Sequence, residues 1–458
     1  MQSFLPFLQI FLILLIEGTA LALLLLPIST MSLAIALGLP LSALTNVLLV
    51  FLYTVTGVPL TLISITMGHL AILGALILLI YLRPQFLMDL ERPVKEPKKR
   101  LSTVQKSIII ASLLIIVMNA GYSFVHAILL PTVQYDSATN WTMRSEISFV
   151  DHHIAFDADE SRGMAKPQYP FLFHALQITA NQGQERWLDT AANGILYLLS
   201  IATFGAVFLM IRKLHDSVHS VATLATIISI PLLGLHLAQG YGDLNLLQYF
   251  LLSLCCLGMW IESTHARRHR WLMLSGIFVA ASVWTKSEGS VFGLLPWLLT
   301  VSLICGRNKQ TWKEAIPAII VTFALSVPWP IFAWLQGLSL TPHSSDTMLQ
   351  LHLEGVKEAL IGLFGRGSFG LTWYALMVLV PVFLYGGWKH HPAVKRPQLP
   401  LLLWGSVMFL EFLFIYLATP NVRFLLNAES FYRQMMIPAA MLILACSLCI
   451  KPKAEKHL

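Results

Sequence analysis

The chain has 458 residues, 56% of them hydrophobic and 12% charged, with a mean hydropathy of +0.71. A soluble domain carries about 25% charged residues, so that class is excluded. The formal charge of +7 comes mostly from short basic stretches between apolar runs, where it reads as membrane orientation and not as nucleic-acid affinity.

Runs of about 20 apolar residues, enough to cross a hydrocarbon core of about 30 Å, recur along the whole chain. They predict an all-α, polytopic transmembrane helical bundle of about thirteen spans. The spans fall near 4–27, 32–53, 57–82, 107–130, 186–211, 220–239, 244–262, 271–288, 290–306, 314–336, 372–388, 400–418 and 435–450. A β-barrel would show alternating segments of about 10 residues, and none is present. The first run lacks the basic leader of a cleavable signal. Residues 1–83 form an N-terminal three-span unit, 84–106 a basic linker, 107–450 the main body and 451–458 a tail.

Lysine and arginine sort the connections into two sets. One set holds Arg83 to Arg100, Arg212-Lys213, Arg267 to Arg270, Arg307 to Lys313, Lys389 to Arg396 and Lys451 to Lys456. By the positive-inside rule this face is cytoplasmic, together with the linker and the tail. The basic-poor connections alternate with these and face outward, which puts the N-terminus outside. They include the long loops 131–185 and 337–371, the first carrying short amphipathic helices. The cysteines (Cys255, Cys256, Cys305, Cys446 and Cys449) lie in or beside apolar runs. They are read as packing residues and imply no disulfide framework.

The outward connections carry the chemistry. Charge near a bilayer is costly and is kept where it pairs, meets water or binds something. Tyr135-Asp136 follows the fourth span; Asp136 is a candidate base or a helix cap. Trp141 and Arg144 sit three residues apart, which would set an aromatic stacking face and a cation on one helical turn beside that carboxylate. Asp151-His152-His153, with Asp157 and Asp159, resembles a metal cluster. Its spacing gives no clear ligand pair, so Asp151 and His152 are divalent-metal candidates beside the plainer account of a capped loop helix. Lys166-Pro167-Gln168-Tyr169-Pro170 restarts an apolar run. It reads as a helix start, with Gln168 and Tyr169 as substrate contacts in the functional version.

Further along, Gly240-Tyr241-Gly242-Asp243 is a tight turn, and Asp243 is either a cap or a site carboxylate. Lys286-Ser287-Glu288-Gly289 interrupts an apolar stretch at the outer edge. The pair either neutralises itself or offers a cation to a lipid phosphate. Arg366 lies between glycines, which let an anion approach the backbone. Arg423 and Arg433 are arginines on the side that disfavours them, and each wants a local reason.

These motifs together resemble the GT-C-type membrane glycosyltransferases, chiefly bacterial members of the family-39 kind. The resemblance rests on Tyr135-Asp136 with Trp141 and Arg144, on Gln168-Tyr169-Pro170, on Gly240-Tyr241-Gly242-Asp243-Leu244, on Lys286-Ser287-Glu288-Gly289 and on Arg433 ahead of Pro438. It covers roughly residues 107–450. It implies an enzyme that takes a sugar from a polyprenyl-phosphate donor at the outer face of a bacterial inner membrane and passes it to a lipid, glycan or protein acceptor. It makes Asp136 the catalytic base and gives Lys286, Arg433 and Arg366 to the donor phosphate. Asp243, Glu288 and Arg144 then orient acceptor or base. Two departures stand out: Ser137 occupies the place where many members carry a second acidic residue, and the first three spans lie outside the match. A lipid-linked donor needs no nucleotide-binding glycine loop, and none occurs.

Two other readings compete. A transporter or flippase would place its site near the bilayer midplane on broken helices. A polymerase or ligase of the O-antigen type would use a late external loop, here His343, Arg366 and Arg423.

Overall fold

The computed structural model describes residues 4–26, 31–82, 101–132, 136–156, 169–264, 267–306, 309–338, 349–391, 393–427 and 430–451. Tyr135, Asp157, Asp159, Gln168, His343, most of the 84–106 linker and the tail beyond residue 451 lie outside these. The described residues are helical, joined by short turns. The N-terminal helices are α1 (Leu5–Leu25), α2 (Met31–Thr56), α3 (Leu62–Leu82) and α4 (Thr103–Phe124). The first long loop contributes α5 (Met143–Asp151) and α6 (Leu172–Asn181). The body continues with α7 (Asp189–Leu214), α8 (Ser217–Ile228), α9 (Pro231–Gln239), α10 (Gly242–Glu262), α11 (His269–Thr285), α12 (Leu295–Cys305), α13 (Lys309–Ser326) and α14 (Pro328–Leu335). It closes with α15 (Leu353–Leu360), α16 (Thr372–Trp388), α17 (Pro400–Ala418), α18 (Val422–Leu426) and α19 (Ser430–Cys449).

Each of the thirteen expected segments is helical. Nine helices among the described residues are long and apolar enough to cross a membrane, or ten with α8 and α9 taken together. The expected spans at 271–288, 290–306 and 372–388 form shorter helices; α11 and α16 have 17 residues each. The expected span at 220–239 is broken: α8 and α9 meet at 81°. Pro231 opens α9 after an extended Ile230, and proline has no N–H to continue the helix through that point.

Burial sets the order of the bundle. The apolar windows of α10 and α19 are 94% and 89% enclosed, whereas that of α4 is 11%. The most enclosed of the spanning helices, α10 and α19, are also two of those that carry the ionisable turns. In the N-terminal unit α1 and α2 touch backbone to backbone, since a Cβ on Gly18 would stand 1.7 Å from the Gly38 carbonyl oxygen. Small residues permit this close approach where lipid supplies no hydrophobic drive between helices. The unit packs on α6 and α7. Tyr249 of α10 donates to the Pro40 carbonyl at 3.3 Å.

The two sets of connections meet partners of their own set. On the basic side Arg268 pairs with Glu314 at 3.2 Å and Lys395 with Glu262 at 3.4 Å. On the basic-poor side the Leu60 amide donates to the His152 carbonyl at 2.7 Å, and Arg433 reaches Asp136 across 297 positions of sequence.

Candidate functional site

Five ionisable residues converge at the basic-poor end, each set there by a helix terminus. Asp136 precedes the π-helical turn Ser137–Thr142 that leads into α5. Gly240, with φ of 64°, makes the left-handed end of α9, a conformation that suits glycine. The chain then turns through Tyr241 and places Asp243 in the first turn of α10, where a carboxylate also faces the positive end of the helix dipole. Lys286 caps α11 in an extended conformation, and Glu288 precedes the π-helical start of the next helix. Arg433 and Gln434 lie in the first turn of α19.

The contacts form a chain in two parts, joined through the backbone from Arg433 to Gln434. Lys286 Nζ donates to Asp243 Oδ1 at 2.8 Å and to Glu288 Oε1 at 2.8 Å. Gln434 Nε2 donates to Asp243 Oδ1 at 3.2 Å. Arg433 Nη1 and Asn140 Nδ2 each donate to a separate oxygen of Asp136. The Arg433 guanidinium lies 5.1 Å from the Tyr241 ring centroid and Lys286 Nζ 5.8 Å from that of Tyr169. Exposure rises outward, from 1% for Asp243 and 6% for the Lys286 side chain to 24% for Arg433 and 28% for Asp136. The inner pair is thus sealed and the outer pair is reachable. Burial pushes the Asp136 carboxyl up, but the Arg433 charge and its hydrogen bond, with that of Asn140, outweigh it and hold the group below the usual carboxylate range.

Several buried polar atoms around this chain have no hydrogen-bond partner among the described residues. They are Arg433 Nε, Gln434 Oε1, Glu288 Oε2, Ser287 Oγ, Asn140 Oδ1 and the Tyr432 hydroxyl. An unmet buried polar atom costs about 1–3 kcal/mol. A cluster of them beside half-open charges marks where a polar ligand gains most. Arg366 flanks the site: its guanidinium sits 5.3 Å from the Tyr432 ring and pairs with Glu358 at 3.0 Å.

Two expected contacts turn inward instead. Trp141, expected as a stacking face for a sugar, is 3% exposed. It lies parallel to Tyr169 at 5.3 Å and to His174 at 5.7 Å, and its indole covers Gly242. Arg144, expected as a cation beside Asp136, is fully buried and donates to the carbonyls of Ala155 at 3.1 Å and Tyr169 at 2.7 Å. Burial pulls its pKa down to about 9. Both residues brace the loop because α5 packs on the wholly buried α6, which turns that face of the turn away from solvent. Tyr169 is likewise buried, and burial raises its hydroxyl pKa.

Asp151 ends α5, and His152 takes the left-handed position after it, with φ of 57°. No three His, Cys, Asp or Glu side chains gather as a metal-ligand set among the described residues. Arg423 stacks on its neighbour Phe424 at 4.7 Å. Asn140, Gln434 and Tyr432 carry no warning in the sequence beyond their place beside Asp136 and Arg433; their roles appear only when α19 is laid against the loop.

The fold is the GT-C type. Solved structures of ArnT from Cupriavidus metallidurans are similar to it. The apo form aligns with a TM-score of 0.54 and 13% identity over 75% of this chain and 60% of that one. The form bound to undecaprenyl phosphate aligns with a TM-score of 0.53 and 14% identity over 73% and 59%. The chain thus spans about 60% of the length of that protein. No protein-family model matches the sequence, and no curated protein sequence does.

Proposed function

We propose that the protein is a membrane glycosyltransferase that moves a hexosyl or pentosyl unit from a polyprenyl-phosphate donor to an acceptor at the outer, periplasmic face of a bacterial inner membrane. The observation that carries this reading is the set of ion pairs Asp136–Arg433 and Asp243–Lys286–Glu288 at the basic-poor end of a GT-C fold, a fold shared with a protein solved with undecaprenyl phosphate bound.

Asp136 takes the proton of the acceptor hydroxyl as its oxygen bonds to the anomeric carbon. The bond from that carbon to the donor phosphate breaks, and its electron pair leaves on the phosphate oxygen. A positioned base of this kind contributes about 10²–10⁴-fold. Positive charge is wanted where the leaving phosphate gains charge; Lys286 and Arg433 supply it, with Arg366 further out. Arg433 keeps Nε uncommitted and a planar fork suited to phosphate oxygens. Asp243 holds Lys286 from below and is itself held by Gln434, Asp136 holds Arg433, and Glu288 faces the more exposed side.

The test is reconstituted protein with a labelled polyprenyl-phosphate sugar. Wild type releases the polyprenyl phosphate, and Asp136→Asn lowers the rate at least about 100-fold while keeping the same elution and melting behaviour. Unchanged turnover in Asp136→Asn overturns the base. Movement of intact donor across the bilayer without cleavage favours a transporter.

A further inference from the structure

Two side-chain amides of the site share one arrangement. Asn140, in the π-helical turn Ser137–Thr142, gives its Nδ2 to Asp136 Oδ1. Gln434, in the first turn of α19, gives its Nε2 to Asp243 Oδ1 at 3.2 Å. An ionised carboxylate only accepts, so each amide must turn its NH₂ to the aspartate and keep its carbonyl oxygen for something else. Those oxygens, Asn140 Oδ1 and Gln434 Oε1, are buried and have no donor among the described residues. Gln434 as a whole is 5% exposed. In the order of contacts the two amides stand on either side of Arg433, whose Nε is itself unmet.

A phosphate does not complete this pattern. The phosphodiester of a polyprenyl-phosphate sugar offers oxygens and no hydrogen, so it can meet Arg433 Nε but neither amide carbonyl. A hydroxyl completes it, because it donates to a carbonyl and accepts from a guanidinium at once. The charge count narrows the ligand further. Three carboxylates, Asp136, Asp243 and Glu288, face two cations, Lys286 and Arg433. The donor phosphate adds one more negative charge. A sugar bearing a carboxylate would add another to a largely buried site, where like charges repel more strongly than in water.

We infer that Asn140 and Gln434 read the transferred sugar: their carbonyl oxygens accept hydroxyl hydrogens of a glycosyl unit that carries no carboxylate. The inference rests on the glycosyltransferase reading and adds to it the residues that select the donor. Asn140 belongs to the reachable outer pair and Gln434 to the joint between the outer and inner pairs, so the two oxygens grade the site from its exposed side inward. A site whose buried polar groups are met only by the right ligand discriminates sharply against one that lacks the matching hydroxyl. Ordered water is the competing partner for both oxygens, and it would not tell a glycosylated lipid from a bare one.

The test is competitive lipid retention read by native mass spectrometry, with no acceptor present. The probes are bare undecaprenyl phosphate and undecaprenyl phosphate carrying glucose, galactose, arabinose or glucuronic acid. Wild type retains at least one of the neutral glycosylated lipids about tenfold or more over the bare lipid, and the glucuronosyl lipid less than the bare one. Gln434→Met removes one carbonyl and Asn140→Ala the other, and each lowers that preference about tenfold or more. Asn140 is half-buried, so Asn140→Ala still reports if Gln434→Met fails to fold. A preference that is unchanged in the folded variants overturns the inference. So does a wild type that holds bare and glycosylated lipid alike, or one that prefers the glucuronosyl lipid. Wild type that shows the preference, loses it in the variants and yet releases no polyprenyl phosphate in an envelope extract overturns the glycosyltransferase reading, and leaves Asn140 and Gln434 as sugar-binding residues.

Discussion

Asp136 is bound to the cation that the proposed donor phosphate needs. In the free protein Arg433 and Asn140 hold it below the usual carboxylate range against the upward push of burial, where an ordinary aspartate has a pKa of about 3.9. The group is thus ionised throughout neutrality. Its pairing with Arg433 contributes stability at and above the ordinary carboxylate pKa, and loses it as pH falls through the lower folded value. When a phosphate draws Arg433 away, the charge that depresses Asp136 is removed and its basicity rises. The pH dependence of kcat/KM reports the free enzyme and that of kcat the bound complex. The acid limb of kcat/KM is therefore expected below the ordinary aspartate value of about 3.9, with the acid limb of kcat at higher pH. Coincident limbs in a reconstituted assay would show that Arg433 does not change partners. A kcat/KM limb near pH 6.5 would point to a histidine.

At the scale of the element, one aromatic contact seats the first long loop on α10. Trp141 lies against Gly242 at the start of α10, and an added Cβ there would stand 2.6 Å from its ring. Elsewhere in a helix, glycine to alanine gains up to about 1 kcal/mol. At Gly242 the indole cannot give way easily, because Tyr169 and His174 are stacked on it. Overpacking of this kind costs about 1–3 kcal/mol. Gly242→Ala is expected to lower the melting temperature in detergent and to shift tryptophan fluorescence. An equal or higher melting temperature would mean that Trp141 is not seated on α10. The same contact explains what sequence could and could not convey. Asp136, Asp243, Lys286, Glu288 and Arg433 were legible because each is an ionisable residue at the end of an apolar run. Trp141 and Arg144 shared that loop, but the direction they face depends on α6, whose burial no local pattern specifies. The break between α8 and α9 was likewise hidden, since Pro231 inside an apolar run is compatible with a kinked span as well as with two helices.

At the scale of the whole molecule, the N-terminal unit is tied to the loop by a polar network inside apolar helices. His69 of α3 contacts Glu17 of α1 at 2.7 Å and Asn46 of α2 at 3.0 Å. Thr45 donates to Glu17, and Thr179 of α6 donates to Asn46 at 2.9 Å. Glu17, His69 and Asn46 are fully buried. A single Glu and a single His, on separate apolar helices, reveal nothing of their pairing until the helices pack. Removing one partner of a buried hydrogen bond leaves the other unmet at a cost of about 1–3 kcal/mol, whereas replacing both by apolar residues is often neutral or stabilising. His69→Leu is therefore expected to be strongly destabilising, and Glu17→Leu with His69→Leu to recover most of the loss, both measured by unfolding in detergent. Since Asn46 also holds Thr179, His69→Leu is further expected to raise protease sensitivity in the loop that carries Asp136. Additive losses in the double variant would show that Glu17 and His69 do not act as a pair. A destabilised α1–α3 with an unaltered loop would show that the N-terminal unit anchors itself and not the site.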